Sequence, residues 1–217
     1  MALSKVNFNS LNLTPTASKV VKFNSNNNGL EAGDVGGAMV LISEQTASSS
    51  SAISFTSGID STYKEYVFKF IDIHPSNNAV SFQFNGSADS GSNYNVTKTT
   101  SFFQAYHEED DGSTGFGYDT GSDIAQGTGF QNFTSGSSAN NNDDCLVATV
   151  RLFNPSSTTF VKHFMINAQT TNSTSDPNVT VNYIAGYFNT TSAIDAIQFK
   201  FSSGNIDSGT IKMYGVT

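Results

Sequence analysis

The carboxyl end of the chain, residues 194–216 (IDAIQFKFSSGNIDSGTIKMYGV), has the pattern that most restricts how this sequence can fold. Ile197, Phe199 and Phe201 alternate with smaller or polar residues, which is the two-residue period of a strand with one buried face. Gly, Ser and Asn residues typical of turns follow, and residues 210–214 (TIKMY) predict a second strand. We therefore expect the last two strands to complete a sheet that earlier parts of the chain begin.

The same pattern recurs through the rest of the chain. Residues 63–73 (YKEYVFKFIDI) are the longest strand signal, with Tyr66, Phe68 and Phe70 on one face. Further strands are predicted at residues 38–42, 53–56, 80–84, 99–107, 146–153, 160–168 and 179–188. About ten strands at this spacing, with no helical period, predict an all-β fold, namely a single β-sandwich of the jelly-roll type.

The amino-terminal residues have a different character and predict an extended arm over residues 1–35, followed by the sandwich over residues 36–217. Short apolar pieces in the arm are separated by Pro, Asn and Ser, so they have no helical face. Phe8, Leu11 and Leu13 are its candidate docking residues, and the alternative is a frayed terminus. The first residues contain no apolar h-region, so no ordinary signal peptide is predicted.

Composition excludes several classes of partner. The chain of 217 residues has 18 Phe and 8 Tyr but only 13% charged residues, which favours an ordered β protein over a disordered one. Its formal net charge of -8 and its ten scattered Lys and Arg argue against nucleic-acid binding. No apolar run approaches a membrane span, so no membrane insertion is expected. The single cysteine, Cys145, is predicted to be a small buried side chain.

No motif predicts catalysis, so we expect a protein that is not an enzyme and has no cofactor. His74, His107 and His163 lie far apart and lack metal-ligand spacing, and no Gly-x-Ser-x-Gly elbow marks a nucleophile. A sandwich glycanase would need two carboxylates across a cleft. Glu65 is the only Glu within a strong strand signal, and we expect it to pair with a neighbouring lysine on a solvated face.

Two segments lack a clear strand period. The Ser- and Ala-rich residues 46–51 are predicted to be a hairpin connection, and residues 108–139 to be a long loop. A loop of that length in a compact domain is usually functional or ordered by a partner, so we expect residues 108–133 to face one. The candidate residues for contact with a partner or a glycan are Tyr106, Phe116, Tyr118, Asp119 and Phe130. The alternative is that these aromatic side chains only tie the loop down.

Acidic residues at 108–111 and 140–144 raise the question of a bound ion. Carboxylate, amide and carbonyl oxygens are the ligands that Ca²⁺ prefers. Neither segment has the EF-hand spacing, and acidic loops are more often simply solvated. No metal-ligating residues are therefore predicted, and Ca²⁺ stays open as the less favoured alternative.

Several phrases of the sequence resemble a known family. They are MALSKVNFNSLNLTP, GAMVLISEQTASSSSAISFTSGIDSTYKEYVFKF, KTTSFFQAYHEED with GYDTGSDIAQGTGFQ, and IQFKFSSGNIDSGTIKMYGV. Together they cover nearly the whole chain and are similar to virion structural or tail-fibre-like proteins of tailed phages, common in marine and cyanobacterial phages. The phrases are strands and turns rather than catalytic signatures, so no functional residue is carried over from the family.

The resemblance implies a location and a kind of function. It implies a non-enzymatic structural protein on the virion exterior, made in the bacterial cytoplasm, where the absence of disulfides is expected. The expected role is a tail fibre, tip or adaptor component that contacts other virion proteins as a homo-oligomer, with a trimer favoured. Two alternatives stay open, a capsid decoration or head-fibre protein and a carbohydrate-binding module for host surface glycan.

Overall fold

The computed structural model describes residues 19–23, 26, 28–34, 38–135, 138–172 and 177–217. The chain divides into two compact units, Met1–Ala38 and Met39–Thr217. In the first unit, β1 (Lys19–Phe23) and β2 (Leu30–Asp34) pair as an antiparallel hairpin. The candidate docking residues lie outside the described residues, so their predicted role stays a prediction; they are Phe8, Leu11 and Leu13.

The second unit is built from twelve strands among its described residues. They are β3 (Met39–Ser50), β4 (Ile53–Phe55), β5 (Glu65–Pro75), β6 (Phe82–Ser87), β7 (Lys98–Glu108), β8 (Thr114–Tyr118), β9 (Gln131–Asn132), β10 (Leu146–Phe153), β11 (Lys162–Asn172), β12 (Asn178–Phe188), β13 (Ala196–Phe201) and β14 (Ile206–Val216). The described part of the chain contains no helix, and hence none long and apolar enough to cross a membrane.

These strands form two sheets whose pairings are all antiparallel. The large sheet has the order β3-β14-β5-β10-β11-β12-β7-β8, and the small sheet has the order β4-β13-β6-β9. Buried side chains from both sheets belong to one hydrophobic core, as expected for a sandwich of two packed sheets. The predicted all-β fold is therefore confirmed, while jelly-roll connectivity stays a prediction.

The core is dominated by phenylalanine, and Phe199 of β13 lies at its centre. Alternation along β13 turns Phe199 inward, where it is completely buried. Six other rings from both sheets and a connecting segment have their centroids 4.8–6.4 Å from that of Phe199. They belong to Phe55, Phe68, Phe70, Phe82, Phe84 and Phe133. A chain without Trp fills its interior with this mutually packed cluster.

The last two strands do not complete one sheet, and that expectation was wrong. β13 lies between β4 and β6 in the small sheet, whereas β14 lies between β3 and β5 in the large sheet. The turn between them, in which Gly204 has a φ of 72°, carries the chain from one sheet to the other. The alternating pattern showed that both strands have a buried face, but it holds no information about which strand each one pairs with.

Two predicted connections are partly strands. Residues 46–50 belong to β3, where Thr46 pairs with Thr210 and Ser48 with Ser208 of β14. This end of an edge strand contributes only Ala47 to the core, so its small polar residues do not show the usual alternation. Within the predicted long loop, residues 114–118 form β8, which pairs with β7 at the opposite edge of the large sheet.

Two lysines are completely buried at one end of the sandwich. Lys98 and Lys162 both pair with Phe188 of β12, one from each side. The Lys98 Nζ donates hydrogen bonds to the carbonyl oxygens of Val96 (3.2 Å) and Gly129 (2.5 Å), and the Lys162 Nζ to that of Thr190 (3.1 Å). Burial lowers the pKa of Lys98 to about 8 and also lowers the pKa of Lys162, because removal from water disfavours the ammonium form.

Asn182 of β12 is completely buried, and its side-chain amide forms no hydrogen bond within the described structure. We expect the substitution Asn182→Leu to raise the free energy of unfolding by about 1–2 kcal/mol, because it removes an unsatisfied buried polar group and keeps the number and branching of the side-chain heavy atoms. Urea denaturation measures the change. Asn85→Leu is the matched control, because the equally buried Asn85 amide donates to the carbonyl oxygens of Tyr94 and Thr128. Equal loss of stability in both variants would contradict the prediction.

Candidate binding surface

The face of the large sheet that points away from the core, called the outer face here, exposes unusually large side chains. Neighbouring residues on a strand point to opposite faces, so Phe102 of β7 is completely buried while Phe103 is 37% exposed. In the same way Ile184 of β12 points inward, and Tyr183 is 44% exposed. Exposed aromatic residues on a hydrogen-bonded sheet are candidates for contact with a ligand or partner.

Four aromatic residues occupy neighbouring positions toward the β8 edge of this face, and we call them the aromatic cluster: Phe103, Phe116, Tyr118 and Tyr183. Tyr118 lies opposite Phe103 in the pairing of β8 with β7, and Phe103 lies opposite Tyr183 in the pairing of β7 with β12. The Phe103 ring centroid is 6.3 Å from that of Tyr118 and 6.4 Å from that of Phe116. Phe116 is the most exposed of the four, at 78%.

A carboxylate holds one ring of the aromatic cluster in place. The Tyr118 hydroxyl donates a 2.7 Å hydrogen bond to the Asp123 carboxylate. This hydrogen bond to a carboxylate raises the pKa of Tyr118 above its ordinary value, because it favours the protonated hydroxyl. The ring is thereby oriented before any ligand arrives, which lowers the entropic cost of binding.

The outer face becomes polar toward the middle of the large sheet. Tyr183 pairs with Asn167 of β11, Asn167 with Thr149 of β10, and Thr149 with Lys69 of β5. Asn167, Thr149 and Lys69 line a shallow hollow of about 330 Å³, together with Ile71, Val147 and Gln169. The hollow adjoins a β-bulge, where the pairing of β10 with β5 shifts register between Leu146 and Ala148.

A second hollow on the large sheet, of about 490 Å³, has a mostly apolar lining. Ser101, Ala185 and Met165 lie in register across its floor. The His163 and Tyr187 rings line it with centroids 5.9 Å apart. Both hollows and the aromatic cluster therefore lie on the same sheet rather than in a cleft between elements.

Three of the five predicted contact residues, Tyr106, Phe116 and Tyr118, line a hollow of about 230 Å³ at the β8 edge of the large sheet. Phe116 and Tyr118 belong to the aromatic cluster. Tyr106 pairs with Gly115, and its hydroxyl lies 3.3 Å from that of Ser113. Since strand side chains alternate, Tyr106 points to the face opposite that of its neighbours Ala105 and His107.

The other two predicted residues have separate surroundings. Asp119 directly follows β8, and its carboxylate accepts a hydrogen bond from the Gly121 amide at 2.8 Å, as in a turn. The Phe130 ring contacts the ammonium group of Lys200 on the small sheet, 4.3 Å from the ring centroid. Their predicted roles in ligand contact stay predictions.

The segment after β8 is tied to the sandwich by the chain itself. Asn85 and Lys98, both completely buried, donate hydrogen bonds to the carbonyl oxygens of Thr128 and Gly129 respectively. The buried Gln131 amide donates to the Ser122 carbonyl oxygen at 2.9 Å. Polar side chains inside the sandwich thus order much of the predicted loop without a partner.

Sequence reasoning missed Phe103 and Tyr183. The signal for Phe103 was its position directly after Phe102, because two consecutive residues of a strand cannot both face the core. Tyr183 lies between Asn182 and Ile184, and the same alternation places its side chain on the face opposite theirs. What the sequence lacked was the register, which places these two rings on adjacent strands directly opposite each other.

The remaining reactive residues have ordinary structural surroundings. Glu65 forms an ion pair with Arg151, so the expectation of a lysine partner was wrong. Cys145 is partly buried, and burial raises the pKa of its thiol, which disfavours the nucleophilic thiolate. The His107 imidazole lies 3.0 Å from the Asp111 carboxylate at the surface. Among the described residues, no group of three or more His, Cys, Asp or Glu is arranged to hold a metal ion.

Comparisons with known proteins assign no family or function to this chain. No family model, no curated protein and no solved structure matches the chain.

Proposed function

We propose that this protein is a non-enzymatic structural protein of a tailed-phage virion, a tail fibre, tip or adaptor component that uses the outer face of its large sheet as a contact surface. The observation that carries the contact role is the aromatic cluster on the outer face. Its four side chains are 37–78% exposed, although side chains of this size are normally used to fill a core. The location on a virion rests on the resemblance of the sequence phrases to such proteins.

The rigid sandwich suits a component that holds a contact surface in a fixed shape rather than one that changes conformation. Its phenylalanine core joins both sheets, and each strand of the large sheet between the two edges pairs on both sides. A surface on such a sheet keeps its side chains in fixed relative positions. Partners of this surface are either neighbouring virion proteins or the host cell surface, and homo-oligomerisation, with a trimer favoured, belongs to the proposal.

Immunogold electron microscopy of intact virions tests the location. We expect antibodies raised against the purified protein to label the tail. The same antibodies after absorption with the purified protein serve as the control for specific labelling. Gold distributed over the head would replace the tail assignment with capsid decoration, and accessible particles without gold would contradict a place on the virion exterior.

A further inference from the structure

We propose that the outer face binds an uncharged polysaccharide, which lies across the strands from the aromatic cluster to the hollow at Lys69. This inference rests on the proposed role of the outer face as a contact surface and specifies the class of ligand. The residues that contact the ligand form a line of paired positions across the sheet, called the transverse row here: Tyr118, Phe103, Tyr183, Asn167, Thr149 and Lys69.

The transverse row has the dimensions of a short glycan. Each member lies on the strand next to that of its neighbour, in directly paired positions from β8 to β5. Neighbouring strands are about 4.8 Å apart, so the row spans about 24 Å from end to end. One strand spacing is comparable to the length of one pyranose ring, and successive sugars can therefore lie over successive side chains.

The chemistry of the transverse row changes from aromatic to polar along its length. Tyr118, Phe103 and Tyr183 offer ring surfaces to the apolar C–H faces of sugars. Asn167 and Thr149 then offer amide and hydroxyl groups, which can donate to and accept from sugar hydroxyls. A sugar has both kinds of surface on every ring, so this combination fits a saccharide better than a purely apolar ligand.

The polar groups of the row are available to a ligand. The side-chain amides of Asn167 and of its exposed neighbour Gln169 form no hydrogen bond within the described part of the chain, and the same is true of the Tyr183 hydroxyl. By contrast, the Tyr118 hydroxyl is already bonded to Asp123, which leaves its ring as the binding element. Binding therefore replaces water on Asn167, Gln169 and Tyr183 without breaking bonds inside the protein.

The hollow at Lys69 provides a place for part of the ligand in the middle of the sheet. Its lining combines Thr149, Asn167 and Gln169 with the apolar side chains of Ile71 and Val147. Five described members of the transverse row, all except Lys69, are uncharged. The whole chain has a formal net charge of -8, which disfavours polyanions. Both observations favour an uncharged polysaccharide over an acidic one.

Binding of the full-length protein to immobilised polysaccharides tests the proposal. The probes are β-1,4-glucan, β-1,3-glucan, α-1,4-glucan, mannan and galactan oligosaccharides, with anionic alginate for comparison. We expect at least one uncharged glycan to bind, with an affinity that does not change between low and high salt because no charge pairing is involved. No binding to any uncharged glycan, or binding to alginate alone, would overturn the proposal.

Variants locate the site on the protein. Tyr183→Ala and Asn167→Ala are each expected to weaken glycan binding about tenfold or more, as truncation of a central contact does. Phe160→Ala is the matched control, since Phe160 is 69% exposed but lies in the connection between β10 and β11, outside the row. Circular dichroism and thermal unfolding establish that the variants are folded. Equal binding by all three variants would reject the transverse row as the site.

The readouts separate this inference from the proposed function. Glycan binding by the purified protein does not depend on where the protein resides, whereas gold labelling of virions does not depend on the ligand. A labelled tail with no glycan binding would retain the virion role and leave protein contact as the use of the outer face. Glycan binding without labelled virions would retain the site and reject the virion role.

Discussion

Replacing Phe199 with alanine is expected to lower the free energy of unfolding by about 3–5 kcal/mol, the range for truncating a fully buried phenylalanine. The Phe199 ring is completely buried and is tilted or edge-on to four of the six rings around it, at 60–83°. Those rings come from strands of both sheets, so they cannot close a cavity without moving the sheets relative to each other. Equilibrium denaturation with guanidinium chloride measures the loss.

Phe116→Ala is the control for this experiment, because it removes the same ring from a side chain that is 78% exposed. We expect it to change the free energy of unfolding by no more than about 0.5 kcal/mol. A loss below about 1 kcal/mol for Phe199→Ala would contradict the central position of Phe199 in the core. A large loss for Phe116→Ala would contradict the assignment of the aromatic cluster to the surface.

The buried Lys98 is expected to make the stability of the protein rise with pH in the alkaline range. Its pKa is about 8 in the folded chain and about 10.5 when the side chain is in water. Between these values the unfolded chain binds more protons than the folded chain, so a rise in pH favours folding. Below pH 8 both states are protonated, and the cost of burying the ammonium group is fully present.

The variant Lys98→Met isolates this contribution, since Met has a similar length but no charge. The free energy of unfolding of the natural chain, minus that of Lys98→Met, is expected to increase by about 2–3 kcal/mol from pH 8 to pH 10.5. Urea denaturation of both proteins across this range measures it. Lys69→Met, which removes an exposed lysine, is the control. If this difference stays constant or falls with pH, folding does not transfer the Lys98 ammonium group out of water.

The existence of most strands could be predicted because each one carries its own alternation. The patterns at β5 and β13 placed Phe68, Phe70 and Phe199 on buried faces, and all three are buried. The predictions failed where a strand needs little burial. The polar end of β3 and the glycine-rich β8 lie at the two edges of the large sheet, and their strand conformation depends on pairing with a neighbour.

The candidate surface could be predicted only in part. Phe116 and Tyr118 were recognised as aromatic residues in a long aperiodic segment, and Tyr106 lines a hollow with them, but the same argument selected Phe130, which has different surroundings. Phe130 is separated from the others by a contact with Lys200, a residue that is 70 positions away in sequence. Distances of that kind arise from tertiary folding and leave no local signal.

The sequence by itself determined that this chain is all-β, that its interior is built from phenylalanine and that its strands have one buried face, because these properties follow from local composition and a two-residue period. Only the tertiary structure decided which strands pair, and hence that β13 and β14 complete different sheets. It also decided that Phe103, Tyr183 and Asn167 lie side by side. Register between distant strands depends on the packing of the whole core, which no short stretch of sequence specifies.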